Sequence, residues 1–136
     1  AANAARYRPL VGFLASLDAQ TVVDLYTRLY PVLQYAYRQL GFGDRSFHER
    51  VIAVVDLLLA TPEPQEPIAV MLTDVQGPVA PTEPWTRYEF ADPQLQALGA
   101  GQKILLRVGP ENRARLKAKL REVRALLVQP AGAQRR

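Results

Sequence analysis

Apolar residues recur at helical spacing over most of the chain. Leu10, Phe13, Leu14 and Leu17 mark a helix from Arg6 to Leu17, with Pro9 in the first turn, where a missing N–H sacrifices no helical hydrogen bond. Asp18 then offers an N-cap. Val22, Tyr26, Leu29, Leu33, Ala36, Tyr37 and Leu40 share one arc at about 100° per residue, so a second helix is expected to bury that arc. Leu29 and Leu33 keep phase across Pro31, which predicts one kinked helix rather than two, and Gly41 and Gly43 stop it. Ser46-Phe47-His48-Glu49 matches a capping box, so a third helix starts near Phe47 and ends at Thr61-Pro62. Its residues Val51, Ile52, Val54, Val55, Leu57, Leu58 and Leu59 surround most of its circumference, which predicts the most deeply buried element.

The pattern changes between Pro62 and Pro84, where prolines alternate with Glu and Gln. Ile68 to Leu72 and Thr86 to Phe90 read as two strands of a small ribbon across a Gly77-Pro78 and Pro81 loop. Helical spacing then returns. Asp92-Pro93 opens a short helix through Leu95 and Leu98 to Gly99, and Gln102 to Val108 forms another. Gly109 closes it, and Pro110 starts a last helix to about Val128, with Leu116, Leu120, Val123 and Leu127 in one stripe. The expectation is a mainly α fold: a compact bundle of about five to six helices with a small two-stranded β ribbon. Residues 1–128 are expected to form one globular domain and 129–136 a flexible tail.

At 136 residues the chain is long enough for one core and too short for two. It contains no cysteine, which excludes disulfides, thiolate metal sites and thiol nucleophiles. No apolar run approaches the roughly 18 residues that cross a bilayer. The start, Ala1-Ala2-Asn3, lacks an initiator methionine, and the chain is read as a piece of a longer protein.

Charge divides the sequence. Residues 1–100 carry seven basic and eleven acidic side chains, whereas residues 101–136 carry ten basic ones against Glu111 and Glu122. On the last helix Arg113, Lys117, Arg121 and Arg124 form a stripe beside the apolar one, with Arg115 and Lys119 on the other flank. Facing outward together, these cations would meet an acidic protein, anionic lipid, an envelope polymer or nucleic acid. Tyr35, on the polar side of the second helix, joins them as a candidate surface contact, while Tyr26, Tyr30 and Tyr37 lie along its apolar edge.

Candidate catalytic chemistry is sparse. His48 is the single histidine, too few for a zinc site without cysteine, and a structural or capping role is expected for it. Ser46 is committed to the cap. Gly99-Ala100-Gly101-Gln102-Lys103 lacks both the spacing and the hydroxyl residue of a phosphate-binding loop. No enzymatic activity, cofactor or metal is expected. A protein partner is the favoured reading, nucleic acid through the basic helix the alternative, and an enzyme of unidentified type the third; the oligomeric state is left open.

Several stretches resemble a bacterial family, the one numbered 3014 among domains of unknown function. They are Asn3-Ala4-Ala5-Arg6-Tyr7-Arg8-Pro9-Leu10-Val11, Tyr26 with Arg28-Leu29-Tyr30-Pro31, Gly101-Gln102-Lys103, Arg107, Gly109-Pro110-Glu111-Asn112, and Lys117-Lys119-Leu120-Arg121. The resemblance carries no known activity. It implies a membrane-anchored protein whose N-terminal transmembrane segment and proline-rich linker precede this domain and hold it at the periplasmic face of the inner membrane.

Overall fold

Each expected helix forms, and three of the six begin at a capping side chain; the first starts at Ala2 rather than Arg6, which puts Pro9 inside it instead of in its first turn. In the computed structural model, which describes residues 2–74, 77 and 88–129, the order is α1 (Ala2–Ser16), α2 (Ala19–Tyr37), α3 (Phe47–Leu59), β1 (Val70–Leu72), β2 (Tyr88–Phe90), α4 (Pro93–Gln96), α5 (Ala100–Arg107) and α6 (Pro110–Leu127). Asp18 accepts from Thr21 N at 2.9 Å, Ser46 from Glu49 N at 3.2 Å and Asp92 from Gln94 N at 2.8 Å, each satisfying an amide left free at a helix start. α2 passes through Pro31 as one helix and continues into a π-helical turn, Arg38–Phe42, that ends at Gly41 and Gly43. The expected loop of the ribbon, apart from Gly77, and the tail beyond Gln129 lie outside the described residues.

α6 is the hub of the bundle, with α1, α2 and α3 packed on it. The deepest apolar residues are Val11 of α1, Leu105 and Leu106 of α5, Val108, and Phe90 of β2. Phe90, Leu95 and Leu106 form one cluster that ties the ribbon to the short helices. Buried amides fix the junctions: Asn112 Nδ2 donates to the carbonyls of Ala4 (2.9 Å) and Val108 (2.8 Å), and Gln102 Nε2 donates to Leu57 O at 3.0 Å. A buried amide with its partners in place specifies one arrangement of the helices it joins.

Two burial expectations need correction. α3 is not the most buried element: Val55 alone is buried within it, and Val54 and Leu57 are exposed. Its neighbours α2, α5 and α6 leave part of its apolar circumference uncovered. α2 is turned about its axis relative to expectation. Ala19 and Val23 face inward, with Tyr26, Tyr30 and Tyr37 half-buried beside them, while Leu29, Ala36 and Leu40 of the expected arc are exposed.

The ribbon is antiparallel, pairing Val70 with Phe90, Met71 with Glu89 and Leu72 with Tyr88. Ala91 N donates to Ala69 O at 3.0 Å, so by the alternation of antiparallel ladders Met71 and Glu89 exchange the next bonds. Val70 and Leu72 therefore turn their N–H and C=O groups to the outer edge. The matching outward amide on the other strand, Phe90 N, is taken by Gln96 Oε1 at 3.1 Å.

Candidate binding groove

The basic stripe of α6 does not face outward together. Arg113 is 1 % exposed and Lys117 4 %, because both reach under the proline-rich segment. Arg113 Nε donates to Glu63 at 2.8 Å and its Nη2 to Glu66 at 3.3 Å, while Lys117 Nζ donates to Glu63 at 2.6 Å and to Thr61 O at 2.5 Å. Arg124 pairs with Asp56 of α3 through two hydrogen bonds, and Lys119 Nζ binds Leu17 O and Glu122. Arg121 and Arg115 remain exposed, as does Tyr35 at 64 %. The expected continuous face is thus divided, and its first two cations, Arg113 and Lys117, are part of the interior.

This cluster gives the domain an acid-sensitive joint. The hydrogen bond from Lys117, aided by Arg113, holds the Glu63 carboxyl below its ordinary value of 4.5 against a smaller opposing effect of desolvation. A depressed folded-state value means that the unfolded chain binds more protons, so this stabilisation is complete above about pH 4.5 and is lost as pH falls through the folded value. Glu63→Gln is expected to cost about 2 kcal/mol at pH 7, less than a fully buried pair because Glu63 is more than half exposed. Urea melts at pH 7 and pH 4 check both points: wild type should lose more stability than the variant between them.

A second cluster joins His48, which begins α3, to the tyrosines of α2. His48 Nδ1 lies 3.0 Å from Tyr26 Oη, and Tyr30 Oη donates to Gln34 Oε1 at 3.0 Å. Desolvation, with a lesser effect of Tyr30, raises the Tyr26 hydroxyl above its usual value of 10.0. Gln34 in turn accepts from Phe47 N and donates to Arg45 O, so the network locks α3 onto α2. Among the described residues no three His, Asp or Glu side chains come together as a metal site.

A third feature is a concavity. A groove of about 750 Å³ opens between the start of α1, the ribbon and the α5–α6 turn. Cross-strand partners share a face of a ribbon, so Val70 with Phe90 and Leu72 with Tyr88 present one apolar face, and Val70, Tyr88 and Phe90 line the groove. Arg107, in the last turn of α5, lays its guanidinium over both rings, 5.4 Å from the Tyr88 centroid and 5.5 Å from that of Phe90. Asn3 Nδ2 donates to the Arg107 carbonyl at 3.1 Å and anchors this turn. The Arg107 Nε is buried and has no hydrogen-bond partner among the described residues. The groove's carboxylate, Glu66, is engaged by Arg113 instead.

Such a groove favours an apolar ligand bearing an anion. Its walls are the aromatic and aliphatic side chains of the ribbon, Ile68, Leu106 and Pro110, and one oriented cation stands among them. Stacking on two rings holds the guanidinium in place, with its Nε buried and without a hydrogen bond among the described residues.

The sequence model of a family described as a protein of unknown function, DUF3014, matches residues 1–124. The chain belongs to the DUF3014 family. No curated protein and no solved structure matches it. Within this DUF3014 chain, separate stretches of the family pattern meet at the groove: Asn3 and Ala4 from the first, then Arg107, then Gly109 and Pro110. Of the groove residues, Asn3, Ala4, Arg107, Gly109 and Pro110 stand in the matching stretches, whereas Tyr88, Phe90 and the edge of β1 carried no motif. Glu63 and Glu66 were equally hidden, since their role depends on where the proline-rich segment crosses α6.

Proposed function

We propose that this domain is a non-catalytic binding module that takes up an extended, apolar protein segment carrying a carboxylate. The observation that supports this reading is Arg107, a guanidinium stacked on Tyr88 and Phe90 with a buried, unpartnered Nε in an otherwise apolar groove. A buried donor of this kind gains a charge-assisted hydrogen bond when an anionic oxygen reaches it. Beside it, Val70 and Leu72 offer outward backbone groups to an added strand, the mode by which extended peptides join an open sheet edge. Val70, Met71 and Leu72 are all more than half exposed, which suits an edge that awaits a partner.

The domain works, in this reading, at the periplasmic face of the inner membrane, on a protein anchored by a segment outside this chain. No helix of the described residues is long and apolar enough to cross a membrane. The topology rests on what the family resemblance implies. A phosphatase reporter active only outside the cytoplasm, fused after this domain in the full-length protein, should be active; an inactive but well-expressed fusion would overturn that part of the proposal. Nucleic acid ranks below a protein partner because Arg113 and Lys117 are engaged inside the fold and unavailable to phosphates.

Selection from a random peptide library tests the binding reading. Enriched peptides should alternate apolar residues and bear an Asp, a Glu or a free C-terminus, and Arg107→Met should weaken them by about tenfold or more, the loss of one charge-assisted hydrogen bond. Binders indifferent to Arg107, or no enrichment of acids, would contradict it.

A further inference from the structure

A second concavity, of about 500 Å³, opens where α2, the start of α3 and the end of α6 meet. No residue lines both this cavity and the Arg107 groove, and among the described residues no Asp, Glu, Lys or Arg lines it. A charged ligand would leave its hydration here without a counter-ion on the walls, so the cavity favours an uncharged one.

Its walls differ in polarity. The start of α3 supplies Ser46 and His48, whereas the end of α6 supplies Leu126 and Leu127. Between them α2 contributes the rings of Tyr26 and Tyr30, with centroids 5.9 Å apart and planes inclined at 65°. The Tyr30 hydroxyl is already spent on Gln34 and that of Thr27 on Val23 O. The remaining polar groups are not. Tyr26 Oη and His48 Nδ1 share one hydrogen bond of 3.0 Å, and His48 Nε2 has none among the described residues. If Tyr26 donates that bond, Nε2 carries an N–H and Oη still accepts; if His48 donates it, Nε2 accepts and the hydroxyl still donates. In both cases the pair keeps one donor and one acceptor for another molecule. Ser46 Oγ accepts from Glu49 N, and its own hydrogen has no acceptor among the described residues.

A hydroxyl is donor and acceptor in one atom and so answers both halves of the His48–Tyr26 pair. A planar aromatic ligand without such groups would fill the same walls but leave the pair unmet, at the cost of its desolvation. The ligand that fits is therefore uncharged, carries several hydroxyls along one side, and shows C–H bonds on the other to tyrosine rings and leucines. A sugar ring has that make-up. We infer that this cavity is a saccharide site that takes a pyranose of a neutral glycan, with Tyr26 and Tyr30 as the stacking platform and the His48–Tyr26 pair holding one of its hydroxyls. The site is independent of the peptide groove, and neither reading needs the other.

NMR titrations of the full chain at neutral pH with maltose, cellobiose, mannobiose and N,N′-diacetylchitobiose test this. Glucuronate, a charged sugar, and p-cresol, a planar ring with one hydroxyl, are the comparisons. At least one of the four disaccharides should shift His48 Nε2 and the methyl groups of Leu126 and Leu127 together. Glucuronate and p-cresol should bind at least about fivefold more weakly than that disaccharide. No such shift with any of the four, or equal binding by glucuronate or p-cresol, would overturn the inference. Tyr26→Phe keeps the ring and removes the hydroxyl. It should weaken the same disaccharide about fivefold with helicity unchanged, and an unaltered affinity in the folded variant would also reject the inference. The wild-type titrations decide the matter even if that variant does not fold.

Discussion

Lys117→Glu is expected to unfold this domain, while Arg121→Glu, one turn further along the same helix, should shift stability by less than about 0.5 kcal/mol. The difference lies in what each side chain touches. Lys117 is buried and donates to Thr61 O and Glu63, so the variant sets a carboxylate against a carboxylate and leaves a buried carbonyl without its donor. Uncompensated buried charge costs on the order of 5 kcal/mol, comparable to the whole stability of a small domain. Lys117→Met removes the charge but keeps the volume, and Glu63 keeps Arg113; a loss of about 2 kcal/mol is expected from the orphaned Thr61 carbonyl. Circular dichroism melts of the three variants check the order.

Gly109→Ala should lower the melting temperature by about 10 °C, the effect of about 3 kcal/mol in a domain of this size. Gly109 stands at φ +90° and ψ 162°, a region essentially closed to residues with a Cβ. The added atom would also lie 2.7 Å from Ala4 Cβ. Relief requires α1 to move away from the α5–α6 turn, which breaks the Asn112 bond to Ala4 O and the Asn3 bond to Arg107 O. The groove would therefore loosen together with the fold, and ligand binding should weaken along with stability.

Helix boundaries were legible in the sequence because local chemistry writes them: Asp18, Ser46, Asp92 and Pro110 each stand where a free helical amide needs a side chain or a residue without an N–H. Which face turns inward was less legible. α2 carries two apolar rows, one with Val23, Tyr26 and Tyr30 and one with Leu25, Leu29 and Val32, and only packing on α6 selects between them. The cations of α6 held a clue in their phase. On a helical projection Arg113 and Lys117 sit about 60° and 100° from Leu116, beside the apolar stripe, whereas Arg121 sits about 140° away. Their partners could not be read, because Glu63 and Glu66 approach from about fifty residues away in sequence along a segment without periodicity.

The groove lies at the same limit. Arg107, Tyr88 and Phe90 acquire joint meaning only when the ribbon folds over α5, a contact between elements with no shared pattern. Its chemistry then follows from position: aromatic walls, one stacked guanidinium and an open strand edge.

The most direct test of the binding account is an NMR titration with an N-acetylated apolar pentapeptide, prepared as the free acid and as the C-terminal amide. The account predicts that the free acid shifts the Arg107 Nε–H resonance and the amides of Val70 and Leu72, and that the peptide amide leaves Arg107 Nε–H almost unmoved. Equal shifts with both peptides, or shifts confined to the exposed face around Arg121, would contradict it.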